Sequence, residues 1–476
     1  MTSQCKLLRE LPMLVTSKVG HRNKRFRRSV GVRGEPRSAN RTKWGTSQPV
    51  SDSTSQNKGS FGSLDGVERE IWSEAEGLQA AFHDVDKLVH KNISKVQRAF
   101  RNARVGPHHF SGSTGYGHGD LGRRALDEVV AEVMGAESAL VRTQFVSGTH
   151  AIACALFGVL RPGDRLLSAA GRPYDTMEEV IGIRGEKNAG SLASWGVDYG
   201  EVPLLSDGGV DLVALHTAIA TEKPRAALIQ RSCGYALRPT LTIHKIAEAI
   251  EVIRQGDPSC LILVDNCYGE FTEPLEPCNV GADLVMGSMI KNPGGTIAAG
   301  GGYVAGKEAL IGLVGERLTA PGVGLDAGCV PGESLRTMMQ GFFLAPQMVG
   351  EALKAGRLIA SVFEKEGYTV VPNVGDPVPS FITAIEVGSP EKMVAFCQAV
   401  QNLSPVGSFV VPVPGVTAGY GDEVIFADGT FIDGSTSELS ADGPIRPPFV
   451  VYCQGGTHWT HWATVLASVI SALRSL

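Results

Sequence analysis

The chain has no uninterrupted apolar run near the ~20 residues a membrane-spanning helix requires. Its longest candidate, Ala151–Leu160, is about half that, so a soluble protein without a membrane partner is expected. It has no CxxC pair, and its cysteine number, nine, is odd. Zinc-site spacing and a disulfide framework are thereby excluded; several of these cysteines sit inside apolar runs, as small hydrophobes do in a reducing compartment. No GxGxxG falls between a strand and a helix, which argues against a dinucleotide-binding oxidoreductase. The 58 glycines follow no fixed period, which argues against collagen and repeat arrays. No metal site is expected.

Acids are scarce in one place only. Residues 1–60 carry 13 Lys or Arg against Glu10, Glu35 and Asp52, while the whole chain has a net charge of −5. An Arg- and Ser-rich, acid-poor start reads as an organelle transit peptide. Hydroxylated residues persist to about Ser60, which favours a plastid over a mitochondrion. The alternative is a disordered basic arm, which would leave the protein in the cytoplasm.

The 476-residue chain is long enough for two folded parts beyond that segment. Val85, Leu88, Val89, Ile93, Val96 and Phe100 recur at spacings of three and four, so a helical segment is expected over 61–105. From 106 to 340 short apolar strands alternate with helices. Expected strands are Ser138–Val141, Arg165–Ala169, Ala226–Gln230, Cys260–Asp265, Asp283–Gly287 and Gly302–Val304. Expected helices include Gly148–Leu160, Leu212–Thr221 and Ile243–Arg254. Such βα alternation predicts an α/β fold with a mostly parallel sheet that takes ligands at its strand ends. From 341 to 476 the pattern becomes antiparallel, with a Pro- and Gly-rich stretch at 405–421 and a last helix, so a smaller α+β domain is expected.

Four features fall at strand ends of the larger part. Ser147-Gly148-Thr149 opens an apolar helix, whose free N–H groups and dipole suit an anion; alone, it is more often an ordinary N-cap. Asp265 closes the buried run Cys260-Leu-Ile-Leu-Val-Asp265, where an acid needs a partner such as a protonated ring nitrogen. Ser288-Met-Ile-Lys291 follows the next strand. A buried lysine is expected to have a lowered pKa and to form an imine readily, although a surface lysine opening a loop is the plainer reading. Tyr174 is placed to stack on a ring or to fill core. A long Gly-rich loop, Ser111–Asp120, has little reason to exist except function.

This ordered set resembles the fold-type-I pyridoxal 5′-phosphate (PLP) enzymes of cysteine and methionine metabolism, such as methionine γ-lyase and cystathionine β-lyase. Ser113-Thr-Gly-Tyr-Gly117, Asp265-Asn-Cys-Tyr-Gly-Glu270, Ser288-Met-Ile-Lys-Asn-Pro-Gly-Gly295 and Leu439-Ser-Ala-Asp-Gly-Pro-Ile-Arg446 resemble more closely the branch called aluminium-resistance proteins. The resemblance covers about residues 70–475. It implies a PLP-dependent transferase-like large domain with a mostly parallel seven-stranded sheet. It implies Lys291 as the Schiff-base lysine and proton shuttle, Asp265 on the ring nitrogen, and Tyr174 stacked on the ring and serving as a catalytic acid. Ser147, Gly148, Thr149 and Ser288 would hold the phosphate, and Arg446 the substrate carboxylate, with a surface ion pair as the alternative for that arginine. Tyr116 would reach the phosphate of a neighbouring subunit; its family partner Arg is replaced by His118, and Arg123 is a candidate substitute. The implied protein is a homodimer or homotetramer that binds no nucleic acid. The implied activity is carbon–sulfur lyase chemistry on an amino acid of the cystathionine, methionine or cysteine type. Transamination, aldol-type cleavage and a non-catalytic PLP-binding stress protein remain alternatives.

Overall fold

The computed structural model describes residues 61–185 and 190–476; the basic segment 1–60 and its expected targeting role lie outside the described residues. The expected first helix is two, α1 (Phe61–Gly77) and α2 (Gln79–Asn102), broken at Leu78. Next comes α3 (Leu121–Met134), capped by the Asp120 carboxylate, which accepts from the Arg123 N–H at 2.9 Å, and stopped by Gly135 at φ 70°.

The alternating section runs β1 (Ser138–Arg142), α4 (Gly148–Val159), β2 (Arg165–Ser168), α5 (Asp175–Ile181), β3 (Asp198–Glu201), α6 (Leu212–Glu222) and β4 (Ala226–Gln230). It continues through α7 (Ile243–Gly256), β5 (Leu261–Asp265), β6 (Leu284–Ser288) and β7 (Gly302–Gly306). These strands form the expected seven-stranded sheet, in the order β1-β7-β6-β5-β4-β2-β3. Neighbours from β3 to β6 are parallel, and β7 alone runs against the rest. Successive side chains point to opposite faces: Ile262 and Val264 enter one core cluster and Leu263 another, all fully buried. A strand buried on both faces has no polar face to show, which is why it reads as a continuous apolar run. Edge strand β3 has no such run (Asp-Tyr-Gly-Glu, partly exposed) and was not anticipated from the sequence.

The chain then passes through α8 (Glu308–Leu318) and α9 (Gly332–Lys365). The expected domain boundary at 340/341 falls inside α9. The first half of this helix puts Phe342 and Val349 into the core of the large sheet, and its second half puts Leu358 and Phe363 into the other core. Unbroken apolar periodicity carries one helix across both cores. Beyond it lie β8 (Thr369–Val371), β9 (Thr383–Glu386), α10 (Pro390–Asn402), β10 (Gly415–Val416), β11 (Glu423–Ala427), β12 (Ser440–Pro444), β13 (Val450–Gln454) and α11 (Trp459–Arg474). Their six strands form an antiparallel sheet ordered β10-β11-β12-β13-β9-β8, covered by helices around the fully buried Trp462. Among the described residues, no helix is long and apolar enough to cross a membrane.

Candidate active site

Parallel strands deliver their carboxyl ends to one edge of the sheet. There, the ends of β5 and β6, the start of α4 and the smaller antiparallel sheet enclose a cavity of about 250 Å³. Ser147, Gly148, Thr149, Tyr174, Asp265, Ser288 and Lys291, all singled out from sequence, line it together.

The anion-binding wall is built by the turn into α4. Ser147 is extended and its hydroxyl accepts from the His150 N–H at 3.1 Å, capping the helix. A Cβ on Gly148 would lie 3.0 Å from Ser288 Cβ and 3.5 Å from Cys267 Sγ. Glycine therefore leaves a backbone cradle that any side chain would begin to fill. The Thr149 hydroxyl lies 3.1 Å from that of Thr176.

Asp265 closes the floor. Burial raises its pKa, opposed by the Cys267 N–H, which donates to it at 3.1 Å, and by Lys291. Lys291 follows β6 and stands with Nζ 4.0 Å from the centroid of the Tyr268 ring. The lowered lysine pKa expected from sequence does not hold. Burial does disfavour the ammonium, but Tyr268, Cys267 and Asp265 outweigh it and hold the amine above the ordinary lysine range. Tyr174 caps the opposite side. Its N–H donates to Gln230 Oε1 at 2.6 Å, and its hydroxyl lies 2.6 Å from that of Tyr420. Burial, first, and Tyr420, second, raise the Tyr174 phenol well above its usual value.

Two expected residues stand elsewhere. Tyr116 does not line the cavity: it is 77% exposed and stacks on His118, with ring centroids 5.6 Å apart. Its implied role was in a neighbouring subunit, so the chain's own cradle forms without it. Arg446 does not line the cavity either. Its guanidinium is held by Asp422 at 2.9 Å, Asp175 at 3.2 Å and the Tyr235 carbonyl at 3.1 Å, the ion-paired alternative weighed for this arginine. Arg123, the suggested substitute for the missing arginine, is buried and committed to Asp326 and to the Gly328 carbonyl.

Sequence reasoning missed much of the remaining wall. Tyr235, Tyr268, Tyr420 and Tyr452 line the cavity, as do Asp442 and Gln454. Tyr268 lies within a quoted motif and Asp442 four residues before Arg446, but nothing in the one-dimensional pattern turned either toward the ligand. Tyr420 comes from the Pro- and Gly-rich stretch, which has no periodicity to read. Burial pushes the Asp442 carboxyl up to about 7; Tyr235 opposes the rise and Asp428 adds to it. Among the described residues, no three His, Cys, Asp or Glu converge as metal ligands.

A mixed seven-stranded sheet with a separate antiparallel-sheet domain is the architecture of fold-type-I PLP-dependent proteins. The PLP-dependent protein YhfS of Escherichia coli shares it, with a TM-score of 0.55 over 83% of this chain and 97% of that one; at 18% identity the likeness concerns the fold alone. Within that class, the chain belongs to the methionine gamma-lyase family, whose model matches residues 68–474. A carbon-sulfur lyase involved in aluminum resistance from Clostridium novyi NT superposes with a TM-score of 0.82 at 41% identity, covering 87% of this chain and 96% of that one. The uncharacterized protein YnbB of Bacillus subtilis is 47% identical over 401 residues, 84% of this chain and 95% of its own. The cystathionine gamma-synthase of Mycobacterium bovis is 33% identical over 199 residues, 40% of this chain and 44% of its own.

Proposed function

We propose that the chain is a PLP-dependent carbon–sulfur lyase acting on a sulfur amino acid by β- or γ-elimination. One observation carries this reading: the Gly148 cradle, the Asp265 carboxylate and the Lys291 amine face a single cavity, and these are the three groups that a phosphate, a pyridine nitrogen and an aldehyde require. The residues fit the cofactor. Ser147, Gly148, Thr149 and Ser288 would hold its phosphate, Asp265 its ring nitrogen and Lys291 its reactive carbon. When bound, PLP supplies an electron sink for the pair left by a broken Cα–H bond.

The chain's own residues do the rest. Lys291 Nζ, in its unprotonated form, would be the base that takes the α proton. The Tyr174–Tyr420 hydroxyl pair is the proton source for the departing sulfur, which leaves as a thiol when its bond to the β or γ carbon breaks. The tyrosine-lined wall excludes water while this happens. Arg446 would grip the substrate carboxylate only after exchanging an aspartate for it, as bidentate arginine chemistry allows.

The same proposal includes a shared-site homodimer or homotetramer, supported by the exposed Tyr116 and by Val146, 82% exposed immediately before Ser147. It includes a plastid address for residues 1–60, supported by their basic, hydroxyl-rich composition.

The test is the visible spectrum of the protein incubated with PLP, for wild type and Lys291→Ala, before and after cystathionine, methionine or cysteine. A yellow band bleached by borohydride, mapped to Lys291 by mass, with release of thiol, 2-oxo acid and ammonia, is the expected result. A colourless wild type sinks the reading. A coloured protein that releases no thiol from these amino acids removes the lyase assignment.

A further inference from the structure

The wall opposite the phosphate cradle is supplied by β12 and β13, and its chemistry is one-sided. Asp442 and Gln454 are 5% and 3% exposed. Gln454 Nε2 donates to Asp442 Oδ2 at 2.8 Å, which fixes both side chains. Asp442 Oδ1 and Gln454 Oε1 remain without a close hydrogen-bond partner, although both residues line the cavity and the Tyr235 phenol approaches the same carboxylate. A buried acceptor left unpaired is costly, and two side by side define a place for a donor.

The surroundings narrow the donor to a cation. Tyr235 stands between Tyr420 and Tyr452, at centroid distances of 5.7 and 5.1 Å, and Tyr174 lies 5.5 Å from Tyr235. Tyrosine faces grouped beside a carboxylate attract ammonium groups. A second carboxylate, Asp428, lines the same wall. Among the described lining residues Lys291 carries the only formal positive charge, and the lyase reading commits that amine to the cofactor. An anionic substrate group would meet the ionised form of Asp442 with like-charge repulsion, whereas an ammonium would favour that form. A purely apolar tail would leave both acceptors unsatisfied.

We infer that Asp442, held by Gln454 and flanked by the tyrosine cluster, is a specificity determinant that binds a distal ammonium group on the substrate side chain. The preferred substrate is then a thioether amino acid carrying a second amino group beyond the sulfur, ahead of methionine or S-alkyl cysteines. The inference rests on the lyase reading for placing an amino acid in this cavity.

Binding and turnover separate the two. Calorimetric titration of the PLP-loaded protein compares L-lysine with L-2-aminoheptanoate, a near-isosteric pair that differs in its terminal ammonium and undergoes no elimination. Wild type is expected to bind lysine roughly tenfold or more tightly, as a charge-assisted buried contact implies. In Asp442→Asn, which keeps the shape and the Gln454 contact, that preference collapses. Equal or tighter binding of L-2-aminoheptanoate by wild type overturns the inference, as does an undiminished preference in a folded Asp442→Asn protein. Thiol release from S-(2-aminoethyl)-L-cysteine and S-propyl-L-cysteine is then compared. A binding preference for the ammonium with no thiol released from either compound sinks the lyase reading and leaves the ammonium subsite standing.

Discussion

The Lys291 amine lies 4.0 Å from the centroid of the Tyr268 ring, and Tyr268 reaches that position with a φ of 71°. A bulky side chain in the left-handed region is strained by about 1–3 kcal/mol and persists where its surroundings over-determine it. Here it brings an aromatic face under a partly buried cation. Such a contact is worth about 0.5–2 kcal/mol, which sets a measurable pKa effect. Tyr268→Phe keeps the face but removes the phenol oxygen that also holds the amine up, and should lower the Lys291 pKa. Tyr268→Leu removes the face as well and should lower it further, by about half a unit or more. The pH dependence of Lys291 acylation in cofactor-free protein, read by mass mapping, gives both values. Equal shifts in the two variants would refute the cation–ring account.

Gly148→Ala tests the anion cradle. The new methyl would sit 3.0 Å from Ser288 Cβ, tighter than ordinary contact, at the start of α4 where the backbone N–H groups are free. PLP affinity by equilibrium dialysis should fall roughly tenfold or more. Unfolding stability should change by less than about 1 kcal/mol, because alanine suits a helix better than glycine does. Unchanged PLP affinity would move the phosphate elsewhere.

The Tyr174–Tyr420 hydroxyl pair, 2.6 Å apart, is assigned to proton delivery. Tyr174→Phe should lower kcat for elimination by about 10²–10⁴-fold. Because the two hydroxyls act as a unit, Tyr420→Phe should cost little more when added to it. A loss confined to KM, or fully additive losses, would make the pair a positioning contact only.

Glu270 offers a pH test independent of the cofactor. It is fully buried; Oε1 accepts from the Tyr303 hydroxyl at 2.8 Å, and Oε2 has no partner. Burial pushes its carboxyl from 4.5 up to about 8. Between those values the folded protein holds a proton that the unfolded chain releases. Its stabilising contribution is therefore present below the lower value and is lost as pH rises through the upper one. The slope from this group approaches ~1.4 kcal/mol per pH unit. Urea unfolding across this window should show stability falling with pH in wild type and a flatter profile in Glu270→Gln. An equally steep profile in the variant would assign the dependence to other groups.

The two-part α/β order was legible because buried parallel strands must be apolar along their whole length and their covering helices must repeat every three to four residues. Six strands of the larger sheet and helices α4, α6 and α7 fall where that pattern places them, and the polar edge strand β3 is the exception that shows why. The 340/341 boundary falls inside α9 because local pattern reports which face of a helix is buried, not against which core.

Part of the site was equally local. A glycine at a helix start, an acid closing an apolar strand and a lysine after the next strand each express a short-range demand, and the regular sheet then aligns them on one edge. What only the tertiary structure decided was the other half of the cavity. Tyr235, Tyr420, Asp442 and Gln454 come from segments far apart in the chain, and they meet because the β12–β13 wall folds over the carboxyl ends of β5 and β6. The direction of the Lys291 shift and the ion-paired state of Arg446 were decided there as well. Charge and burial depend on neighbours in space, and distance along a chain carries no information about those.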